Sequence, residues 1–197
     1  IRAIEHVLAT RFEVVYYPTW NEMMGAAFMR DVDVVYAAQR TPSRQAAFLF
    51  TEPYLQFDNK IITTEDIDGP LTLEDLAGRT MAVVTGAAIE EHLQLNYPAI
   101  RLMSVDDELI GLTRVSFNQA DAMVVEIARA SWYIQQNKFT NLHIAGDAGY
   151  TFALGFASRS DQPELTAIFN AALGQIGPQR RKELMNRWIF SEERKRP

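Results

Sequence analysis

A chain of 197 residues, 48% hydrophobic and 22% charged, has the composition of a folded protein and the length for one sizeable core or two small ones. Its net charge of −6 and isoelectric point near 5.1 argue against nucleic acid as a partner, because phosphate binding needs a basic stripe. Without cysteine there are no disulfides or thiolate metal sites, His6, His92 and His143 match no metal spacing, and no apolar run is long enough to span a bilayer, so no metal or cofactor is expected.

The chain opens on an amphipathic pattern, with Ile4, Val7 and Leu8 at helical spacing, and passes into FEVVYY (12–17), which reads as a strand. Such a helix normally packs beside a preceding strand, so a fragment of a longer chain is expected. TWNEMMGAAFM (19–29) reads as a helix capped by Thr19, with Glu22 completing a capping box. VDVVYAA (32–38) and NKIITTE (59–65) read as buried strands, and DIDGP (66–70) as a turn-rich break.

After the break, LTLEDLAG (71–78) predicts a short helix boxed by Thr72 and Asp75 and stopped at Gly78. TMAVVTG (80–86), IRLMSV (100–105), ADAMVVE (120–126) and NLHIAG (141–146) read as strands. They alternate with helices over 87–98, 106–115 and 127–139, the pattern of a βα unit with a parallel sheet. YTFALGFASR (150–159) predicts one more strand, and helices over 161–176 and 178–190 carry Pro163 and Pro178 in their first turns. Trp132 and Trp188 fall at inner-face spacing and are expected in the core. The paired acids Glu90–Glu91 and Asp106–Asp107 are read as exposed helix faces. The whole reads as one α/β unit interrupted by a second.

Several stretches occur in a telling order: PTWNEMM, DVDVVYAAQRTPSRQAAFLFTEPY, LTLEDLAGRTMAVVTGAA, NQADAMVVE, YTFALGFASR with DQPEL, and RKELMNRWI. On these, across residues 12–189, the chain resembles the bacterial solute-binding proteins of family 3, the polar amino-acid type with the Venus-flytrap fold. FEVVYYPTW, PSRQAAFLFTEPYL and ASWYIQQNKFTNLHIAGDAGYTFALGFA are in the style of the periplasmic sensor domains of membrane histidine kinases and related signalling proteins. The resemblance implies a two-lobed α/β fold with two crossing strands as hinge. Lobe one would comprise residues 1–61 plus 149–197 and lobe two residues 62–148. Two departures stand out: the family's first strand has no counterpart after Ile1, and MRDVDVV lacks the usual glycine.

The resemblance also implies a role: an extracytoplasmic domain that closes on an amino acid or small carboxylate and performs no catalysis. Membrane attachment would come through the rest of the parent chain, and a homodimer is among the assemblies a sensor can form. The alternative is a free-standing binding protein of an ABC amino-acid importer.

In amino-acid binders a T-x-x-R turn after a strand grips the ligand carboxylate, and Thr41 and Arg44 fall on that pattern. The chemistry suits it, since a guanidinium meets a carboxylate with two parallel hydrogen bonds. Arg40 reads as a rim residue. Gln39, Tyr36 and Trp20 are grouped with the site, the aromatics as stacking surfaces. Gly86, Ala87 and Ala88 would offer backbone N–H groups at a helix start, without the hydroxyls usual there. Glu126 aligns with the acid that binds the α-amino group. On its own residues it reads equally well as a carboxylate favoured at a helix N-terminus.

Overall fold

The computed structural model describes residues 1–64, 70–177, 179–180 and 183–184. In chain order the elements are α1 (Arg2–Leu8), α2 (Trp20–Phe28), β1 (Val34–Gln39), α3 (Pro42–Gln45), β2 (Phe48–Phe50) and β3 (Leu55–Thr64). A short 3-10 turn, Glu74–Leu76, precedes β4 (Thr80–Val84), α4 (Ala88–Asn96), β5 (Arg101–Val105) and α5 (Glu108–Ser116). The chain continues through β6 (Ala122–Glu126), α6 (Ile127–Gln136), β7 (Leu142–Arg159) and α7 (Pro163–Gln175). Most of the helix expected over 178–190, Trp188 and the SEERKRP tail lie outside the described residues.

Local signals account for most of these boundaries. The Thr19 hydroxyl accepts the Glu22 N–H at 3.2 Å and starts α2. Asp107 does the same for α5 by accepting from the Ile110 N–H at 2.8 Å, so it is a cap and not simply part of an exposed acidic face. Asp75 accepts from both the N–H and the hydroxyl of Thr72, which tightens the turn before Gly78 at φ +77. Pro163 sits in the first turn of α7, where a missing N–H costs nothing.

Three expectations need correction. FEVVYY (12–17) is not a strand: no ladder holds it, and Val14, Val15 and Tyr16 are exposed. An extended run needs a partner for its backbone groups, and β1 pairs along this chain with β7. The two strands read at 141–146 and 150–159 are one, β7, which runs on through the intervening turn signal with Gly149 at φ +61. Trp132 is 40% exposed on α6; the buried residue of that helix is Ala130.

The chain divides into two compact units, one of residues 1–15, 32–55 and 154–197, the other of residues 16–31 and 56–153. β3 and β7 each run from one unit into the other. In the first unit, β1 and β2 pair antiparallel with the end of β7. Its core joins Ile4 of α1, Phe156 of β7, and Phe169, Ala172 and Leu173 of α7. The rings of Phe156 and Phe169 lie 4.6 Å apart.

In the second unit the strand order is β7-β3-β6-β4-β5, with β4 parallel to β5 and β6 and β3 antiparallel to β6. Because successive strand residues point to opposite faces, the apolar runs feed two cores. Ile61, Met81, Val83 and Val124 go to one face, under Ile89 and Leu93 of α4. Ile62, Ala82, Met123 and Val125 go to the other, under Leu112 and Val115 of α5 and Ala130 of α6. Coverage on both faces explains why these strands are apolar throughout rather than alternating.

Close backbone approach makes one glycine indispensable. A Cβ on Gly146 would lie 1.8 Å from the Leu71 carbonyl oxygen, and Leu71 is pinned there by its N–H bond to the Ala145 carbonyl at 2.8 Å. Gly146→Ala is therefore expected to lose roughly 2–3 kcal/mol in urea unfolding. Gly25→Ala, in α2 with nothing near its Cβ position, should gain about 1 kcal/mol from helix propensity. Equal stabilities for the two variants would contradict the packing of the 70–72 segment on β7.

Candidate functional site

In the first unit the site residues gather where β1 ends. Thr41 caps α3 by accepting the Arg44 N–H at 3.4 Å, and Pro42 occupies the first turn. This single helical turn folds Arg44 back onto the strand end. Its Nη1 donates to the Gln39 carbonyl at 2.8 Å, and the residue is only 4% exposed. Thr41, Gln39 and Arg44 thus form one cluster, in which Thr41 serves the backbone and Gln39 contributes its carbonyl.

The remaining residues of this segment are arranged differently. Tyr36 is 52% exposed on β1. Arg40 is exposed, its guanidinium 5.6 Å from the centre of the Phe50 ring. Ala37, at φ 55 in an irregularity of β1, donates its N–H to the Tyr54 hydroxyl at 2.7 Å. Burial pushes the Tyr54 phenol up to about 12, with the Ala37 bond opposing the shift, and its ring packs 4.8 Å from that of Phe156. Tyr54 is an anchor for the strand.

In the second unit Trp20, Gly86, Ala87 and Ala88 come together at the start of α4. The Trp20 indole donates to the Gly86 carbonyl at 2.9 Å. Gly86 takes φ +74, and a Cβ there would stand 3.2 Å from the Asn21 Oδ1. Its N–H donates to Glu90 Oε2 at 2.7 Å, while Ser104 Oγ donates to Glu90 Oε1 at 3.2 Å. The Thr85 and Ala87 N–H groups bond to the carbonyls of Val105 and Val84, at 2.9 and 3.0 Å. Ala87 caps α4 without a side-chain bond.

Glu126, 5% exposed, caps α6: Oε1 accepts the Ala128 N–H at 2.8 Å and Oε2 the Arg129 N–H at 3.1 Å. Its neighbour in the ladder is Asn59 of β3, fully buried, whose Nδ2 donates to the Tyr150 carbonyl at 2.9 Å. Arg129 also reaches Glu108 Oε2 at 2.5 Å. Burial pushes the Glu108 carboxyl up; Arg129 opposes the shift, and Glu126 and Asp107 add to it.

Glu108 and Asn59 are polar residues of these clusters that the sequence reading did not single out, while Glu90 reads there as an exposed helix face. Glu90 lies four residues after a turn glycine, within reach of its N–H, and is partly buried rather than an exposed helix face. Asn59 carried a usable signal, an amide inside an apolar strand. Glu108 carried none. Among the described residues no group of three or more acids or histidines could hold a metal ion.

Glu108 supplies a test with a definite sign. A carboxyl whose folded pKa is raised binds its proton more tightly folded than unfolded, so its contribution to stability falls as pH rises from about 4.5 toward neutrality. Glu108→Gln removes that titration. The variant is expected to gain stability relative to the parent protein across this interval in urea unfolding at stepped pH. A relative loss would mean that Arg129 outweighs burial.

The virulence sensor protein BvgS of Bordetella pertussis is 29% identical over 182 residues, covering 92% of this chain and 15% of that protein. The chain thus spans a small part of that relative. The crystal structure of the BvgS periplasmic VFT2 domain of Bordetella pertussis matches at a TM-score of 0.81 and 26% identity, covering 95% of this chain and 80% of that one. The arginine-binding extracellular protein ArtP of Bacillus subtilis is 25% identical over 178 residues, covering 88% of this chain and 69% of that protein. The fold is the two-lobed Venus-flytrap α/β class. Residues 1–192 match the family model as well, and the chain belongs to the bacterial extracellular solute-binding proteins, family 3.

Proposed function

We propose that this chain is the extracytoplasmic ligand-binding domain of a membrane signalling protein, and that it binds a small organic carboxylate, amino acids foremost, without catalysing a reaction. The observation that carries the reading is Arg44. Its charge cannot be removed by deprotonation, yet the residue is buried, held at the end of β1 by a turn made for it. A carboxylate is the ligand group whose geometry answers a guanidinium best. Glu126 is assigned second. An ionised carboxylate has about four lone-pair positions, and helix N–H groups account for two of them, so an ammonium would use the others.

The sensing role is supported by the similarity to BvgS, and no helix among the described residues is long and apolar enough to cross a membrane. A free-standing importer component is the second reading, favoured by the match to ArtP over most of this chain. The gene on either side decides between them: a membrane-spanning segment joined to a kinase or cyclase is expected, and its absence supports the importer.

Binding is tested by a thermal-shift screen of amino acids and small organic acids, since a ligand that binds the folded state raises the melting temperature. A charge-assisted hydrogen bond contributes roughly 1.5–3 kcal/mol, so Arg44→Lys, which keeps the charge and loses the fork, should weaken a hit about tenfold or more. Arg44→Ala should abolish it. A hit that stabilises the parent protein and a folded Arg44→Lys equally would overturn the assignment.

A further inference from the structure

We propose that Glu90 is a built-in anion that occupies the Gly86 N–H in the loop of residues 85–88 and keeps a ligand anion off it. Sequence reasoning left this loop with backbone donors for a ligand anion. In the structure the donors at Thr85, Gly86 and Ala87 are all engaged, and the one turned toward a carboxylate meets the chain's own. The 2.7 Å bond from Gly86 to Glu90 has the length of a charge-assisted hydrogen bond. Ser104, from the neighbouring strand β5, donates to the other Glu90 oxygen and so fixes the carboxylate from two elements.

Two further features keep the plug in place. The Trp20 indole takes the Gly86 carbonyl, so side chains hold the peptide groups on both sides of this glycine. Glu90 and Glu91 both lie in the first turn of α4 and offset the positive end of its dipole. An incoming carboxylate would have to displace Glu90 from Gly86 and sit beside its charge. The inference goes beyond the reading above, which gives the ligand carboxylate to Arg44.

The test is local and uses sodium acetate as the probe. The Gly86 amide is followed by ¹⁵N NMR during titration with acetate against a sodium chloride control of equal ionic strength. The parent protein should show no acetate-specific shift. Glu90→Ala should show a saturable shift at Gly86 several-fold larger than any in the parent, with Ser104 responding too. Glu90→Gln, which still offers an acceptor but no charge, should give a smaller response in the same direction. A parent protein that responds like Glu90→Ala overturns the proposal, as does a silent Gly86 in the folded variants. If Glu90→Ala does not fold, a silent Glu90→Gln overturns it alone. Acetate at Gly86 does not report on Arg44, so failure here leaves the Arg44 grip standing. Conversely, equal stabilisation of Arg44→Lys would sink that grip without moving the Gly86 signal.

Discussion

A guanidinium cannot shed its charge, so wherever one is buried the surrounding chain must bring acceptors to it. Arg44 imposes this constraint on the first unit. The Gln39 carbonyl answers it only because β1 ends where it does and the Thr41-capped turn folds the side chain back. Within β1, the bond from Ala37 to the Tyr54 hydroxyl holds the irregularity that precedes Ala38 and Gln39. Tyr54 packs on Phe156 and Phe156 on Phe169, so the charged cluster is tied through a run of aromatic contacts to the unit's core. The position of one cation is thereby fixed by apolar packing.

The second unit meets the matching constraint with the opposite charge. Each of the helices α4, α5 and α6 follows a strand and presents unbonded N–H groups at its start. Each start is served by an acid of the chain itself: Glu90 reaches back to Gly86, Asp107 accepts from Ile110, and Glu126 accepts from Ala128 and Arg129. Helix starts that could hold anions are thereby neutralised from within. The second unit thus presents acceptors at its helix starts, whereas the first unit holds a buried donor, Arg44. That donor chemistry is why a ligand carboxylate is proposed for Arg44.

Much of the fold was legible because its signals are local. Thr19, Asp75, Gly78 and Pro163 act within a turn of their own position, and β4 and β6, covered on both faces, carry unbroken apolar runs. The misreadings concern what only pairing and packing decide. FEVVYY has strand composition but no ladder, and the turn-like GDAG inside β7 is overridden by pairing with distant strands. Trp132 looked like core because spacing alone does not say which face of α6 is covered. At the site, T-x-x-R pointed to Arg44 through the resemblance to amino-acid binders, and its burial and the Thr41 cap are what the structure adds. Glu90 reads in the sequence as an exposed helix face because its partner is a backbone N–H, which no sequence displays.

The account turns on whether the Arg44 guanidinium takes a ligand carboxylate directly. The most direct measurement is the ¹⁵Nε–Hε resonance of Arg44, assigned by its disappearance in Arg44→Lys, followed as a binding amino acid is added and then as its carboxamide analogue is added. The account predicts a marked shift and slowed solvent exchange with the carboxylate, and little change with the amide. The same response to both compounds, or none to a carboxylate that demonstrably binds, would contradict it.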